Sequence, residues 1–431
     1  MKLTARVAMA GPAWNQGISR PQALARVWLR EGAHLRTGAD RVAARPARGP
    51  AATPASTAEP GTAERYQISR ITTEFDTPHW TGTWRLLLAS SQSHEKIYQT
   101  PEFFRFLADS RTSESDQFEL FSIWDQHENR VVGMVPIRIS DLALDARVGN
   151  FSLLRVRRRI IRILGSVPMM PDDPALLHHL FAHLLATFRH CGAVSMQAFP
   201  IEMQARLDGD RRHHPVVLHG WRACHTIPLP ETVPEYMAKF NGKKRYNLTR
   251  QYRLLEEAAG PLELKRIDRS GDVKELVEGI AGLTLEASAC GEKTPRDYRV
   301  LAANRLLLSY VLKSGDDVIA VISGSRYGDT WHVHHIYYAE RFRHLSAGAV
   351  AMHSALQNVI AEFAFTCADF GFGEPRQTFA STHALQERGH VLVTRKFSAA
   401  RMVFGAFVRY DNWHAQCVRV LRPLAQRLLS R

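Results

Sequence analysis

The run from Trp331 to Phe363 constrains the fold more than any other stretch of this chain. Trp331–Tyr338 is apolar and aromatic and reads as a buried strand. Ala349–Phe363 has the spacing of an amphipathic helix. Between them lies only a short loop that ends in small residues at Ser346, Ala347 and Gly348. A strand, a tight loop and a helix in succession aim the free N–H groups and the positive dipole end of the helix at one point. That is an anion-binding arrangement. Arg343, Ser346 and Gly348 are spaced R-x-x-S-x-G. A plain helix start capped by Ser346 accounts for the same letters.

Length and composition narrow the class. At 431 residues the chain suits two domains plus extensions. Lys and Arg total 56 against 42 acidic residues, a formal charge of +14 that attracts phosphates, nucleotides, RNA or anionic head groups. The five cysteines are scattered, with no C-x-x-C and no Cys/His metal spacing, which predicts reduced thiols, a cytoplasmic protein and no bound metal. His332 and His334 at i, i+2 lack a third ligand. No run approaches the ~20 apolar residues of a transmembrane helix. Residues 1–65, rich in Ala, Pro, Thr and Arg, predict a disordered extension.

From residue 66 the pattern predicts α/β structure. Trp84–Leu107 reads as helical, Phe118–Trp124 and Val131–Ile139 as paired strands, Phe151–Leu164 as β-like or mixed, and Pro174–Cys191 as a helix before a strand at Ala193–Phe199. Thr232–Ala259 reads as one long helix capped at Thr232. Asp272–Ser288 and Tyr298–Ser314 read as two more. Val318–Tyr327 and Thr330–Tyr338 predict a hairpin turning at Gly328-Asp329, and Met402–Leu429 a C-terminal basic helix. Residues 84–199 and 272–370 share this rhythm and predict repeats of one unit. The predicted boundaries are 66–230 and 231–399 for two domains and 400–431 for the last helix.

Four pieces together resemble a family of GNAT-superfamily acyltransferases, the CelD/BcsL type linked to cellulose and exopolysaccharide synthesis and akin to the FemAB peptidyltransferases. They are the basic segment Lys239–Arg250, the strand Asp317–Gly324, the loop Tyr338–Gly348 and the strand end Asp369-Phe-Gly-Phe-Gly-Glu374. Arg343, Ser346 and Gly348 are similar to the Q/R-x-x-G-x-G/A loop that holds the pyrophosphate of acyl-coenzyme A, with Ser in place of the first Gly. Ala339 stands where the family has an acid, Ala347 where it has Pro, and the Tyr-Lys pair after Glu374 is missing. The resemblance implies tandem GNAT-like acyl-CoA N-acyltransferase units, with mixed sheets flanked by helices. It implies acyl-CoA (acetyl-CoA) as a co-substrate with no tightly bound cofactor, and an acceptor amine or hydroxyl on an anionic sugar, lipid-linked or peptide precursor. Arg343, Ser346, Ala347 and Gly348 would then hold the donor.

Acyl transfer to an amine needs a held thioester, a path for the amine proton and stabilisation of the oxyanion. In such a fold the thioester lies between two splayed strands, here Trp331–Tyr338 and Thr366–Phe370. His335, with His332 and His334 beside it, has the right residue type to take the proton. Strand alternation would put His335 with Trp331, Val333 and Tyr337, and His332 with His334, Ile336 and Tyr338. Asp369 and Glu374 are candidates to bind the acceptor or act as base, Glu286 is a further acid, and Tyr338 could protonate the leaving thiolate. Each also suits a packing, turn or surface role.

Two rivals remain open. A FemAB-like enzyme would take its acyl group from aminoacyl-tRNA, which the basic residues Lys239, Lys243, Lys244, Arg245, Arg250 and Arg253 suit. A non-catalytic scaffold for polysaccharide synthesis suits the missing acid at Ala339. Arg155, Arg157, Arg158, Arg159 and Arg162 among apolar neighbours predict contact with an anionic membrane, peripheral at the inner membrane.

Overall fold

The computed structural model describes residues 62–71, 77–91, 95–109, 115–148, 151–208, 212–284, 295–372 and 384–429. Of the extension expected over 1–65, only the helical turn Thr62–Arg65 falls within them. The strands are β1 (Tyr66–Arg70), β2 (Gln117–Asp125), β3 (Arg130–Val148), β4 (Phe151–Ile163), β5 (Val194–Pro200), β6 (His213–Pro228), β7 (Glu263–Ile267), β8 (Ser309–Ser314), β9 (Asp317–Tyr327), β10 (Thr330–Tyr338), β11 (Cys367–Phe372) and β12 (Ala384–Arg395). The helices are α1 (Pro78–Ser90), α2 (Pro101–Asp109), α3 (Pro174–Thr187), α4 (Val233–Ala238), α5 (Gly242–Ala259), α6 (Val273–Thr284), α7 (Pro295–Ala303), α8 (Ala347–Glu362) and α9 (Ala399–Leu429).

The described strands form one sheet in the order β1-β2-β3-β4-β5-β12-β6-β11-β10-β9-β8-β7. Exchanging each strand with the one six places along reproduces the order in reverse, so the chain is two copies of one six-strand unit. Each copy runs strand, two helices, three antiparallel strands, helix, strand. In each, the fourth and fifth strands are parallel. The sixth strand leaves its own copy: β6 pairs with β11 and β12 pairs with β5. These two exchanged strands also pair with each other and merge the copies into one sheet rather than two.

Three large cores follow the same symmetry. On one face α1 and α2 of the first copy and α6 and α7 of the second share a single core, so apolar burial joins the halves there. On the other face α3 packs against the first copy and α4, α5 and α8 against the second.

Two helical expectations need correction. Tyr298–Ser314 splits into α7 and β8, because Leu306-Leu307-Leu308 and Val311 insert into the sheet core, where a run of apolar residues suits a strand buried on both faces. Thr232–Ala259 is two helices, since Asn241 starts a new one: its Oδ1 accepts the Lys244 N–H at 2.9 Å. The Thr232 cap is present, its Oγ1 accepting the Glu235 N–H at 3.3 Å. Among the described residues no helix is long and apolar enough to cross a membrane.

Candidate active site

β10 and β11 pair at three positions only, Thr330 with Cys367, Trp331 with Ala368 and His332 with Asp369. Beyond them β10 continues along β9 to Tyr338 while β11 follows β6. The two parallel strands therefore diverge as a wedge whose base is His332 and Asp369. The β10–β11 pairing ends at His332 and Asp369.

A bulge lies between Val333 and His335 and changes which side chains share a face. Trp331 and Val333 pack in the α8 core, and so do Ile336 and Tyr338. Tyr337 packs on the opposite core, with its ring 5.7 Å from that of His335. Simple alternation would have set His335 beside Trp331 and Val333; the extra residue reverses the parity. His335 thus joins His332 on the face covered by α2, α6 and α7. His334, inside the bulge, bonds through Nε2 with the Ser325 hydroxyl at 2.8 Å. Opposite Val333, a Cβ on Gly324 would lie 2.7 Å from the Leu308 carbonyl and from the Trp331 indole nitrogen, so only glycine fits.

Past the wedge, the 3-10 turn Glu340–Leu345 leads into α8 through Ser346 in the left-handed region, φ +60°. Glycine occupies that region without cost, whereas Ser346 holds it under strain. The Ser346 side chain makes no cap bond to the helix; its Oγ accepts from Gln251 Nε2 of α5 at 3.3 Å. Its carbonyl takes the N–H of Ala349 and Val350. The N–H groups of Ala347 and Gly348 are first-turn donors, with no partner inside the helix. Arg343 sits one turn away, ion-paired to Glu340 at 3.1 Å.

The corresponding helix of the first copy is built differently. At α3 the Asp173 carboxylate accepts the N–H groups of Ala175 and Leu176. A fixed negative charge there fills the site that an anion would need. β4 also ends at Ile163, where its pairing with β5 ends, so no wedge opens. Among the described residues, only the second copy combines a wedge with an uncapped helix start.

Beneath the wedge lies a buried polar chain. Asp369 accepts the Gly371 N–H at 2.7 Å through Oδ1, while Oδ2 stands 3.4 Å from Arg388 Nη1 and 4.0 Å from His332 Nδ1. Arg388 donates to Glu95 at 2.5 Å and to Gln386 at 2.8 Å. The Tyr98 ring lies 5.8 Å from that of His332. Burial holds the His332 imidazole below the usual histidine range, against the pull of Asp369. Burial pushes the Glu95 carboxyl up to about 7 although Arg388 opposes it. Burial also works against the Arg388 charge, but Glu95 and Asp369 outweigh it and hold the guanidinium protonated. Nearby Cys224 and Cys367 are pushed up to about 12 by burial and stay thiols at neutral pH.

Asp369 lies beside His332 at the base of the wedge, His335 follows three residues along β10, and the Arg343–Gly348 turn comes after the strand's last residue, Tyr338, which faces α8. Glu374 and Glu286 lie outside the described residues. Sequence reasoning missed Glu95, Tyr98 and Arg388. The first two come from the first copy and the third from the exchanged strand β12, so no local pattern marks them. A cleft of about 500 Å³, lined by Arg85, Glu102, Arg326, Tyr327, Phe363 and Phe365 among others, opens at the other end of β10; no wedge residue lines it.

Residues 242–377 match the family model described as an acetyltransferase (GNAT) domain. A comparison with curated proteins finds no match. Among solved structures, FemX is similar at TM-score 0.51 and 10% identity, over 76% of this chain and 96% of that one. A conserved protein of unknown function from Bacteroides thetaiotaomicron VPI-5482 is similar at 0.47 and 11%, over 76% and 100%. A tandem GNAT protein from the clavulanic acid biosynthesis pathway is similar at 0.46 and 11%, over 78% and 99%. Residues 242–377 thus carry the match to the GNAT acetyltransferase domain, and the chain shares the mixed α/β fold of FemX.

Proposed function

We propose that the second copy moves an acyl group, acetyl in the simplest case, from acyl-coenzyme A to an amine, or a hydroxyl, of a cell-envelope or polysaccharide precursor in the cytoplasm. One observation carries this reading: the wedge beyond His332 and Asp369 opens next to an α8 start that has no side-chain cap. The N–H groups of Ala347 and Gly348, with Arg343 and the turn at Ser346, bind the pyrophosphate. The thioester carbonyl lies against β10 where it diverges from β11, and a β10 N–H meets the oxyanion. The acceptor nitrogen attacks the carbonyl carbon, the C–S bond breaks, His335 takes the amine proton and Tyr338 protonates the thiolate. Asp369, committed to Gly371 and Arg388, orients His332 beneath the reacting atoms rather than acting as the base. Glu374 is kept as a partner of the acceptor amine.

The CelD/BcsL reading of the acceptor belongs to the same proposal. Thermal stabilisation against coenzyme A, acetyl-coenzyme A and longer acyl forms tests it. A ligand at 100 times its dissociation constant adds about 2.7 kcal/mol to folding stability. No shift with any of them overturns the donor assignment.

A second reading, aminoacyl-tRNA as donor, draws on α5. Its Leu248 and Leu255 are buried, Gln251 reaches Ser346, and Tyr246 stands exposed among Lys243, Arg245 and Arg250. A basic, aromatic surface next to the anion turn suits a polynucleotide. A tRNA gel shift that collapses with added salt, without coenzyme A binding, would favour it.

A further inference from the structure

β3 and β4 form a hairpin longer than the sheet needs. Its base is covered by α9, where Leu142, Leu144 and Ile160 pack with Phe404. The Tyr410 hydroxyl donates to the Arg147 carbonyl, so α9 follows the β3 side of the hairpin almost to its end while the first residues of β4 stay uncovered. Five successive residues of β4, Phe151–Arg155, are exposed, so both faces of the strand meet solvent. Phe151 is 78% exposed, Leu153 63% and Leu154 61%, with Val148 across the turn also exposed. One helical turn past Tyr410, Trp413 is 58% exposed beside the same end, its ring 6.3 Å from that of Tyr410. Behind the apolar tip the charge is one-sided: residues 141–162 hold six Arg and two Asp.

We propose that this hairpin tip, with Trp413, docks on the surface of an anionic lipid bilayer. The spacing fits the depth of such an interface. Leu154 and Arg157 are three strand residues apart, roughly 10 Å. An apolar group seated about 5–10 Å into the boundary between head groups and acyl chains leaves Arg155, Arg157 and Arg158 at the level of the phosphates. Trp at that depth is the usual interfacial anchor. An aqueous protein partner would bury the apolar tip equally well but gives no reason for the arginine band behind it. The inference stands apart from the acyl-transfer reading, because it uses none of the wedge residues.

Flotation of the full chain with vesicles tests it. Binding is expected to phosphatidylcholine containing about one-third phosphatidylglycerol, and not to phosphatidylcholine alone. Phe151→Ser with Leu153→Ser and Leu154→Ser should cut the partition by about tenfold or more per side chain. Arg157→Ser with Arg158→Ser should cut it about fivefold per charge. Both sets lie on an exposed hairpin, so thermal unfolding should be unchanged and coenzyme A binding should match the wild type. Equal flotation of variants and wild type, or none by the wild type, overturns the proposal. So does a fall in oligomeric size on mutating the tip, which would make the hairpin a contact between copies of the chain. Retention of RNA rather than vesicles by the arginine band overturns it equally.

Discussion

Arg388 donates to Glu95 at 2.5 Å across 293 residues of sequence, tying the exchanged strand β12 to the turn that precedes α2. Both side chains are buried, and Asp369 lies on the other side of the guanidinium. The charge balance under the wedge thus depends on both copies of the unit. Removing the guanidinium would strand two buried carboxylates. Arg388→Met is expected to cost about 3–5 kcal/mol, read as a loss of denaturant midpoint. A change below 1 kcal/mol would mean that the pair contributes little.

Glu95 makes the same network sensitive to pH. Its carboxyl is raised from 4.5 to about 7, so between those values the folded protein keeps a proton that the unfolded chain has released. Stability from this group is therefore highest below 4.5, falls as pH rises and levels off above about 7. Glu95→Gln mimics the protonated form. The melting temperature of the wild type minus that of the variant should decline from pH 5 to pH 7. A difference that grows with pH would show that Arg388 depresses the carboxyl instead.

At the start of α8 the left-handed Ser346 leads to opposite expectations for two substitutions. Ser346→Gly removes the backbone strain, worth about 1 kcal/mol, and leaves the N–H groups open, so coenzyme A affinity should be kept or improved. Ser346→Asp puts a carboxylate where Asp173 sits in the first copy and should weaken coenzyme A at least about tenfold without loss of melting temperature. Isothermal titration of both variants decides it. Equal affinities would remove the pyrophosphate from this turn.

Much of this architecture was legible locally. The strand–loop–helix from Trp331 to Phe363 needs only neighbouring residues, and so does the Gly328-Asp329 hairpin, which pairs Thr330 with Tyr327 as expected. What failed was non-local or depended on single insertions. The bulge at His334 is invisible in the letters, yet it moves His335 to the other face. Leu306–Leu308 reads equally well as helix or strand until the sheet claims it. Glu95 and Arg388 look like ordinary surface charges, because the strand exchange that buries them is a property of the whole sheet.

Two histidines on one face of β10 should separate by their readouts. His335, half-buried past the bulge, is assigned the amine proton; His335→Gln should lower kcat about 100-fold or more with acyl-coenzyme A affinity unchanged. His332 is buried with its imidazole held neutral, so it costs stability when forced to charge. The unfolded chain binds that proton near 6.5 and the folded protein only at lower pH. Stability is thus lost as pH falls below 6.5, and His332→Gln should blunt that loss. A wild-type kcat in His335→Gln would move the proton-accepting role to another group.

The first copy supplies the control. Asp173 caps α3 by accepting two N–H groups, so Asp173→Ala should cost about 1 kcal/mol in unfolding free energy. It also frees the Ala175 and Leu176 N–H groups, although Pro174 ahead of them has no N–H to offer. Since β4 stops where its pairing with β5 stops, the described residues open no wedge for a pantetheine arm beside it. Titration of the variant should therefore still return one coenzyme A site per chain, and Ser346→Asp placed on top of it should weaken that site by the same factor, at least about tenfold. Two sites in Asp173→Ala would show that the charge at the helix start alone, and not the wedge, decides which copy binds the donor.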